Sequence, residues 1–592
     1  MGFETCNLLY RLDLFQFFFG RTPARETDMN TDESSPSPPT EEAMDKVEEK
    51  SLSSAESRLQ PIKGDGLNAD LKVHTTRTSR YSAAAKSEER KAKSIKMGFI
   101  DELRPLLRLR WLQLLTLTGL LVTVGVIAFN LKFSVLDLDI WWHLKAGDWM
   151  VQHVAVPHTG LFSWTAADRS WVAYSWGYEV LMSRAYACFG LLGIGLYGTL
   201  LTLGVAYFIY WMTRRLSGRF WLACILAIVA CSAFLFNLMP RPVFFSMMLF
   251  CVTLTLVLEA HRTGRAQLLY WLPLIFLLWG NLHIQFIYGL LAVGLLLAVN
   301  GAQRLAERFG FAPTWLLPPN LPTATLAAIF AACLIATCVG PYSYHLYQVI
   351  FQYAQAKVPY RMIRDLQPIN FRAGSHYVQL LLMAFAFFAV GRRRQVDVFK
   401  LLLLSIASAV AFRTMRDAWF ICIPAAACIA DSLADENERK PKETWLENVG
   451  VAAVVAVSLL VFASSTDFNT RGLDRAISGF LPVNAVNYLR KNPAPGPLYN
   501  TLDWGGFLIW YMPNYPVAID GRTDLYGDEL DEQFFDTANG APSYINDAYL
   551  NQAGVVILQK SNNLVSILQT DPRFQLVYED RLAAVFVRSG QR

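Results

Sequence analysis

The sequence predicts a polytopic α-helical membrane protein of about eleven transmembrane helices, followed by a small extracytoplasmic α/β domain at the C-terminus. Three observations predict it. Hydrophobic residues make up 53% of the 592 residues and charged residues only 17%, against about 25% charge in an ordinary soluble domain. The apolar residues fall in roughly eleven long blocks, several of them short for a hydrocarbon core about 30 Å thick. Lys and Arg gather at one alternating set of block ends, as they do in cytoplasmic loops. The net charge of +5 is modest and indicates no nucleic-acid partner.

Residues 1–100 read as a disordered basic cytoplasmic tail. Asp28–Glu49 is rich in Ser, Pro, Glu and Thr, and Lys86–Lys96 in Lys, Arg and Ser. Neither holds enough apolar surface to offset the entropy of ordering. The block Leu8–Phe19 is interrupted by Arg11 and Asp13 and lacks a signal-peptide core. Met1-Gly2 is similar to the start of an acylation signal, but Cys6 stands where Ser or Thr is wanted. Met97 opens a stretch that reads like a natural start.

Residues 101–465 carry the apolar runs, approximately 111–131, 190–212, 220–236, 243–260, 267–280, 286–303, 323–340, 377–391, 397–412, 417–433 and 445–464. A further apolar segment, 176–189, carries Glu179 and Arg184. It reads as a half-span, the start of a long bent helix, or an interfacial helix. Cys188, Cys224, Cys231, Cys251, Cys333, Cys338, Cys422 and Cys428 lie in or beside these runs without zinc spacing, and read as small buried hydrophobes.

Eleven crossings put every basic loop on the cytoplasmic side: Arg104–Arg110, Arg214–Arg219, His261–Arg265, Arg304–Arg308, Arg392–Arg394 and Glu436–Lys442. The same count argues that 176–189 does not cross alone. The outer face then holds a long first loop, 132–176, the turns Asn237–Pro242 and Gly280–Gln285, a loop Pro341–Tyr377, and a turn with Arg413, Arg416 and Asp417. Its cations Arg241, Arg361, Arg364, Arg372, Arg413 and Arg416 run against the positive-inside tendency. They snorkel, pair with acids, or meet an anionic ligand. His283 reads as a satisfied buried histidine or a phosphate ligand. Glu179 reads equally as a helix-terminal residue or a site residue.

The first outer loop is the most informative stretch. Beyond Asp139, residues Ile140, Leu144, Gly147 and Val151 follow helical spacing, and Trp141, Trp142 and Trp149 suit a helix at the headgroup level. Asp139 fits an N-cap. Asp137 follows an apolar span directly, where an unpaired carboxylate is costly. If Asp137–Asp139 is extended, both side chains point one way and can share a cation or a hydroxyl-bearing ligand. If it is helical, they diverge.

Residues 466–592 form the expected C-terminal domain. Phe507–Trp510, Val517–Ile519, Val555–Leu558 and Ala584–Val587 read as strands, and Asn546–Gln552 and Leu564–Thr570 as helical pieces. Asp503-Trp504-Gly505-Gly506 and Asp520-Gly521-Arg522-Thr523-Asp524 read either as turn chemistry or as acceptor recognition.

Nearly the whole chain after residue 100 resembles the GT-C membrane glycosyltransferases, and more closely a group of bacterial membrane proteins within that superfamily. The matching stretches are Asp137-Leu-Asp-Ile-Trp-Trp-His-Leu144, Trp171–Glu179, Arg241-Pro242, Trp279-Gly-Asn-Leu-His283, Asn500–Gly506 and Ile519–Gly527. The resemblance implies transfer of a sugar from a polyprenyl-phosphate carrier to a glycan, lipid or protein acceptor at the outer face of a bacterial plasma membrane. It implies Asp137 as base, with Asp139 as helper, metal ligand or cap, and room for a divalent metal though no certain cofactor. It implies Arg241, His283, Arg361, Arg364, Arg372, Arg413 and Arg416 as phosphate ligands, because a departing phosphate gains charge. The sequence leaves open a lipid or polysaccharide transporter, or a non-catalytic protein that binds lipid-linked glycan.

Overall fold

The computed structural model describes residues 110–235, 238–311, 313–434 and 470–590. The expected tail, the span at 445–464 and the basic loop Glu436–Lys442 lie outside the described residues.

The chain is mostly helical. It begins with α1 (Arg110–Asn130), a single turn α2 (Phe133–Leu136), α3 (Ile140–His153) and α4 (Trp176–Phe189). Then come α5 (Leu191–Ser217), α6 (Phe220–Phe234), α7 (Val243–Thr263), α8 (Leu272–Leu282), α9 (Phe286–Arg308) and α10 (Thr323–Thr337). After α11 (His345–Gln355) and α12 (Val358–Met362) follow α13 (Gly374–Gly391), α14 (Val398–Arg413) and α15 (Trp419–Ser432). The helices over Gln113–Leu136, Leu191–Ser217, Val243–Thr263, Phe286–Arg308 and Gly374–Gly391 are long and apolar enough to cross a membrane. The chain is thus a membrane-embedded, multi-pass protein. Helix boundaries follow local chemistry: α5 and α7 stop at Gly218 and Gly264, both left-handed, with Arg214 and Arg215 or His261 and Arg262 in the last turn.

The segment 176–189 is a helix of its own, broken from α5 at Gly190, whose φ of 61° ends it. The tryptophans of α3 do not face a headgroup layer. Trp141 and Trp142 are buried, because the C-terminal segment packs over them; the Trp141 ring lies 5.8 Å from Phe507 and 5.3 Å from Tyr511.

The helix ends sort into two groups. At one, Lys400 Nζ reaches Asp431 Oδ2 at 2.6 Å and Asp397 Oδ2 at 3.1 Å. There His261 meets Asp397, Arg262 meets Asp431, and Arg304 donates to Leu321 O at 2.7 Å. The connections through Arg241, His283, 341–373 and Met415–Asp417 lie at the other ends of the same helices.

The C-terminal segment comprises α16 (Thr470–Phe480), α17 (Val483–Lys491), β1 (Leu498–Asn500), α18 (Leu502–Tyr511), α19 (Thr523–Ala538), α20 (Ala548–Gln552), β2 (Val555–Gln559), α21 (Asn563–Leu568), β3 (Phe574–Glu579) and β4 (Ala583–Arg588). The sheet order is β1-β2-β4-β3. β1 runs parallel to β2, and β4 pairs antiparallel with β2 and β3. β2 and β4 match expected strands. Phe507–Trp510 is helical instead, in α18. A short apolar run buried on every side has no period to separate helix from strand, and Gly505 and Gly506 let this one approach Ile519 O and Leu138 O closely. Val517–Ile519 makes only a bridge, Val517 with Ser163. There Val517 N donates to Phe162 O at 2.9 Å and Trp164 N donates to Val517 O at 3.1 Å. These bonds tie the first loop to the C-terminal segment.

Candidate functional site

The site is built where the α2–α3 connection meets the start of α7. Asp137 is 1% exposed and is held by a two-pronged pair: Arg241 Nε donates to Oδ2 at 2.8 Å and Nη2 to Oδ1 at 2.7 Å. Oδ1 also accepts the backbone N–H of Asp139 at 3.0 Å. That bond turns the chain so that both carboxylates meet one guanidinium, and Arg241 Nη1 reaches Asp139 Oδ2 at 2.8 Å. The guanidinium fills the position between the carboxylates that a shared cation would take, so the pair does not fit a metal site. Among the described residues no group of three or more His, Cys, Asp or Glu side chains is arranged to hold one.

The two aspartates differ in access. Asp139 is 20% exposed, and its Oδ1 accepts from Trp142 Nε1 at 3.3 Å. It sits at the N-cap position of α3, but its side chain makes no cap hydrogen bond, which leaves it turned toward Arg241. Burial pushes its carboxyl above the usual range, more than the Arg241 charge pulls it down. Glu179 lies beneath α3, fully buried. Its Oε1 pairs with His143 Nδ1 at 2.9 Å and accepts from Ser175 Oγ at 3.2 Å, while Oε2 has no hydrogen-bond partner. The His143 ring is 3.5 Å from that of Trp142. Glu179 thus holds His143, which lies against Trp142, the donor to Asp139.

Arg416 forms a second wall from the short turn between α14 and α15. Its Nε and Nη2 donate to Asp365 Oδ2 at 2.9 and 2.8 Å, and both side chains remain partly exposed. Its charge acts on Asp139, Tyr174 and His283. Asp417 is turned away, accepting from Gln285 Nε2 and Thr414 Oγ1 at 2.9 and 2.8 Å. His283 is buried, with Nδ1 2.8 Å from Ser246 Oγ. Burial, with the His143 and Arg416 charges, pushes it down to about 3, so it offers a neutral hydrogen-bonding edge and no positive charge.

The C-terminal segment supplies the third wall. A side chain at Gly521 would collide with Asp139 Oδ1. Asp520 and Arg522 form a buried two-pronged pair, Nε to Oδ1 at 2.8 Å and Nη2 to Oδ2 at 2.7 Å, and Tyr526 Oη donates to Asp520 at 2.7 Å. This stiff loop sets Asp524 beside Tyr353 and Tyr174.

The structure joins Asp137, Asp139 and Arg241 in direct contact, with the Arg416 charge acting on Asp139 and on His283. It leaves other expected phosphate ligands apart. Arg361 pairs with Glu532 on the surface, Arg413 lies 5.0 Å over the Tyr360 ring, and Arg364 and Arg372 are exposed. Sequence reasoning passed over Tyr174, Tyr353 and the pairing role of Asp365. The tyrosines carried no signal among 24 in the chain; Asp365 was legible only as an acid among the loop arginines.

No protein-family model matches the chain, and no curated protein matches it in sequence. Among solved structures, it is similar to the oligosaccharyltransferase AglB of Archaeoglobus fulgidus in complex with an inhibitory peptide and a dolichol-phosphate. The identity is 11%, the alignment covers 75% of this chain and 69% of that one, and the TM-score is 0.49. It is also similar to ArnT of Cupriavidus metallidurans bound to undecaprenyl phosphate, at 12% identity, 80% and 98% coverage, and a TM-score of 0.42. Both are membrane glycosyltransferases of the GT-C fold.

Proposed function

We propose that this chain transfers a sugar from a polyprenyl-phosphate carrier to a hydroxyl of an acceptor at the extracytoplasmic face of a bacterial plasma membrane. The observation that carries the proposal is the pairing of Asp139, partly exposed, with the Arg241 guanidinium, where the Arg416 charge also acts on it. In the reaction the acceptor oxygen bonds to the anomeric carbon and the bond from that carbon to the carrier phosphate breaks. The acceptor proton passes to a carboxylate, and the carrier leaves as its phosphate. A base within reach of the hydroxyl and fixed positive charge beside the leaving group serve those two needs.

Asp139 takes the role of base in this reading, and Asp137 that of a positioning residue. Both Asp137 oxygens are engaged by Arg241, and the side chain is only 1% exposed, so an acceptor hydroxyl has no free approach to it. Arg416 receives the phosphate by exchanging its exposed contact with Asp365, and Arg241 stands behind it. The gathering of Arg262, Arg304, Arg393 and Lys400 at the far helix ends supports an outward-facing site, since basic loops stay cytoplasmic. Residues 101–465 are then the transmembrane domain and 466–592 an extracytoplasmic one. The test is incubation of the purified protein with polyprenyl-phosphate sugars and mass spectrometry of acceptors. Transfer by the wild type and none by Asp139→Asn supports the reading. Transfer that survives in Asp139→Asn at normal protein levels sinks it.

A further inference from the structure

Three side chains from distant parts of the sequence meet beside the proposed reacting centre. Tyr174 precedes α4, Tyr353 lies on α11 and Asp524 opens α19. Tyr174 Oη and Tyr353 Oη stand 3.3 Å apart, and Tyr353 Oη donates to Asp524 Oδ1 at 3.4 Å. The two rings meet edge to face at 80°, centroids 6.3 Å apart. The Tyr174 ring is also 6.1 Å from His283. The Asp524, Arg416 and Asp139 charges all act on Tyr174, so the cluster lies near the centre. All three residues keep partial exposure. Asp524 is fixed in place from below by the Asp520–Arg522 pair and by Arg522 against the Trp171 ring at 4.6 Å. Gly527, with φ 73°, breaks the helix one residue beyond that first turn.

We infer that Asp524, Tyr353 and Tyr174 form a subsite for the hydroxyl groups of an uncharged sugar residue, the acceptor of the transfer proposed above. A carboxylate accepts from two neighbouring hydroxyls, and a tyrosine hydroxyl both donates and accepts. A pyranose offers such hydroxyls at its edge and an apolar C–H face for the rings. The Asp139 charge acts on Tyr174, which leads through Tyr353 to Asp524, so an acceptor with one hydroxyl at Asp139 is given these groups for its other hydroxyls. An acceptor bearing phosphate or carboxylate there would face the Asp524 charge in a partly desolvated place, which is costly. A peptide brings backbone amides that need paired partners of their own, and lacks the array of ring hydroxyls. Burial pushes the Asp524 carboxyl up to about 6, so the wall is charged at neutral pH and loses its accepting carboxylate below that value.

The test is saturation-transfer NMR on the full chain in nanodiscs, with the methyl glycosides of glucose, galactose and mannose as probes. Wild type and the surface control Lys560→Gln should transfer saturation to the ring protons of at least one glycoside. Asp524→Asn and Tyr353→Phe should each weaken binding at least ten-fold with unchanged thermal unfolding, and wild-type binding should fall as pH drops through 6. No glycoside binding by the wild type overturns the inference. So does undiminished binding in both variants, or loss in the variants of binding to a Ser/Thr hexapeptide in place of a glycoside. The transferase reading is scored apart, by release of sugar from a polyprenyl-phosphate donor. Glycoside binding through Asp524 without such release keeps the subsite and removes the reaction.

Discussion

Replacing Asp137 and Asp139 singly by asparagine should give crossed effects on stability and transfer. Asp137→Asn keeps the side-chain shape but turns an acceptor into a donor facing Arg241, which donates to it at 2.7 and 2.8 Å. Removing one partner of a buried ion pair costs roughly 3–5 kcal/mol. Arg241 keeps Asp139 at 2.8 Å and is 26% exposed, so the loss should lie toward the low end of that range. Asp139→Asn breaks one contact of a carboxylate that is 20% exposed, worth about 1 kcal/mol or less in stability. Its effect on transfer should be far larger, about 10²–10⁴-fold for loss of a general base. Thermal unfolding in detergent reads the first quantity, and single-turnover transfer from a polyprenyl-phosphate hexose reads the second. If Asp137→Asn unfolds like the wild type while Asp139→Asn transfers normally, the division of roles between the two carboxylates is wrong.

Arg416→Ala should slow transfer by about 10²-fold, the scale of losing one stabiliser of a developing charge, and Arg416→Lys should restore part of it; equal rates in all three would remove Arg416 from the site. The acid limb of the transfer rate should lie above pH 4, because a base must be ionised and burial holds the Asp139 carboxyl above its ordinary value near 3.9; Arg241→Lys should move that limb, whereas a limb at the ordinary value points to another base. Asp531, buried with both oxygens unpartnered, is pushed up to about 8 by burial and by Asp528, Asp524 and Asp520. The folded chain therefore holds a proton that the unfolded chain releases near pH 4, and this contribution to stability is lost as pH rises from there through 8, by at most about 1.4 kcal/mol per pH unit. Asp531→Asn should flatten that decline, and an unchanged slope of unfolding temperature against pH would refute it. Arg361→Ala should change unfolding and transfer little, because its pair with Glu532 is exposed on both sides.

Of the eleven expected spans, five described helices are long and apolar enough to cross a membrane; these were legible because membrane burial depends on composition along the chain, which needs no knowledge of partners. The apolar runs at 190–212, 243–260 and 286–303 correspond to α5, α7 and α9, and the basic loops gather at one set of helix ends. The acidic pair at Asp137 and Asp139 was legible for a similar reason: a carboxylate beside an apolar span is costly without a partner. That Arg241 is the partner was one option among the outer arginines. Where burial comes from another part of the chain, local pattern failed. Phe507–Trp510 became helix, and Trp141 and Trp142 turned inward, because each packs against the other's segment.

By itself, then, the sequence determined which stretches are apolar helices and which charges stand at their ends, since those follow from residue type and spacing. Only the tertiary structure decided that Arg241 claims Asp137 and leaves Asp139 accessible. It also decided that Arg361 belongs to a surface pair, and that Tyr174, Tyr353 and Asp524 meet across more than three hundred residues. The physical reason is that a charge or hydroxyl takes its role from the groups within a few ångströms of it, and in this chain those groups come from segments remote in sequence.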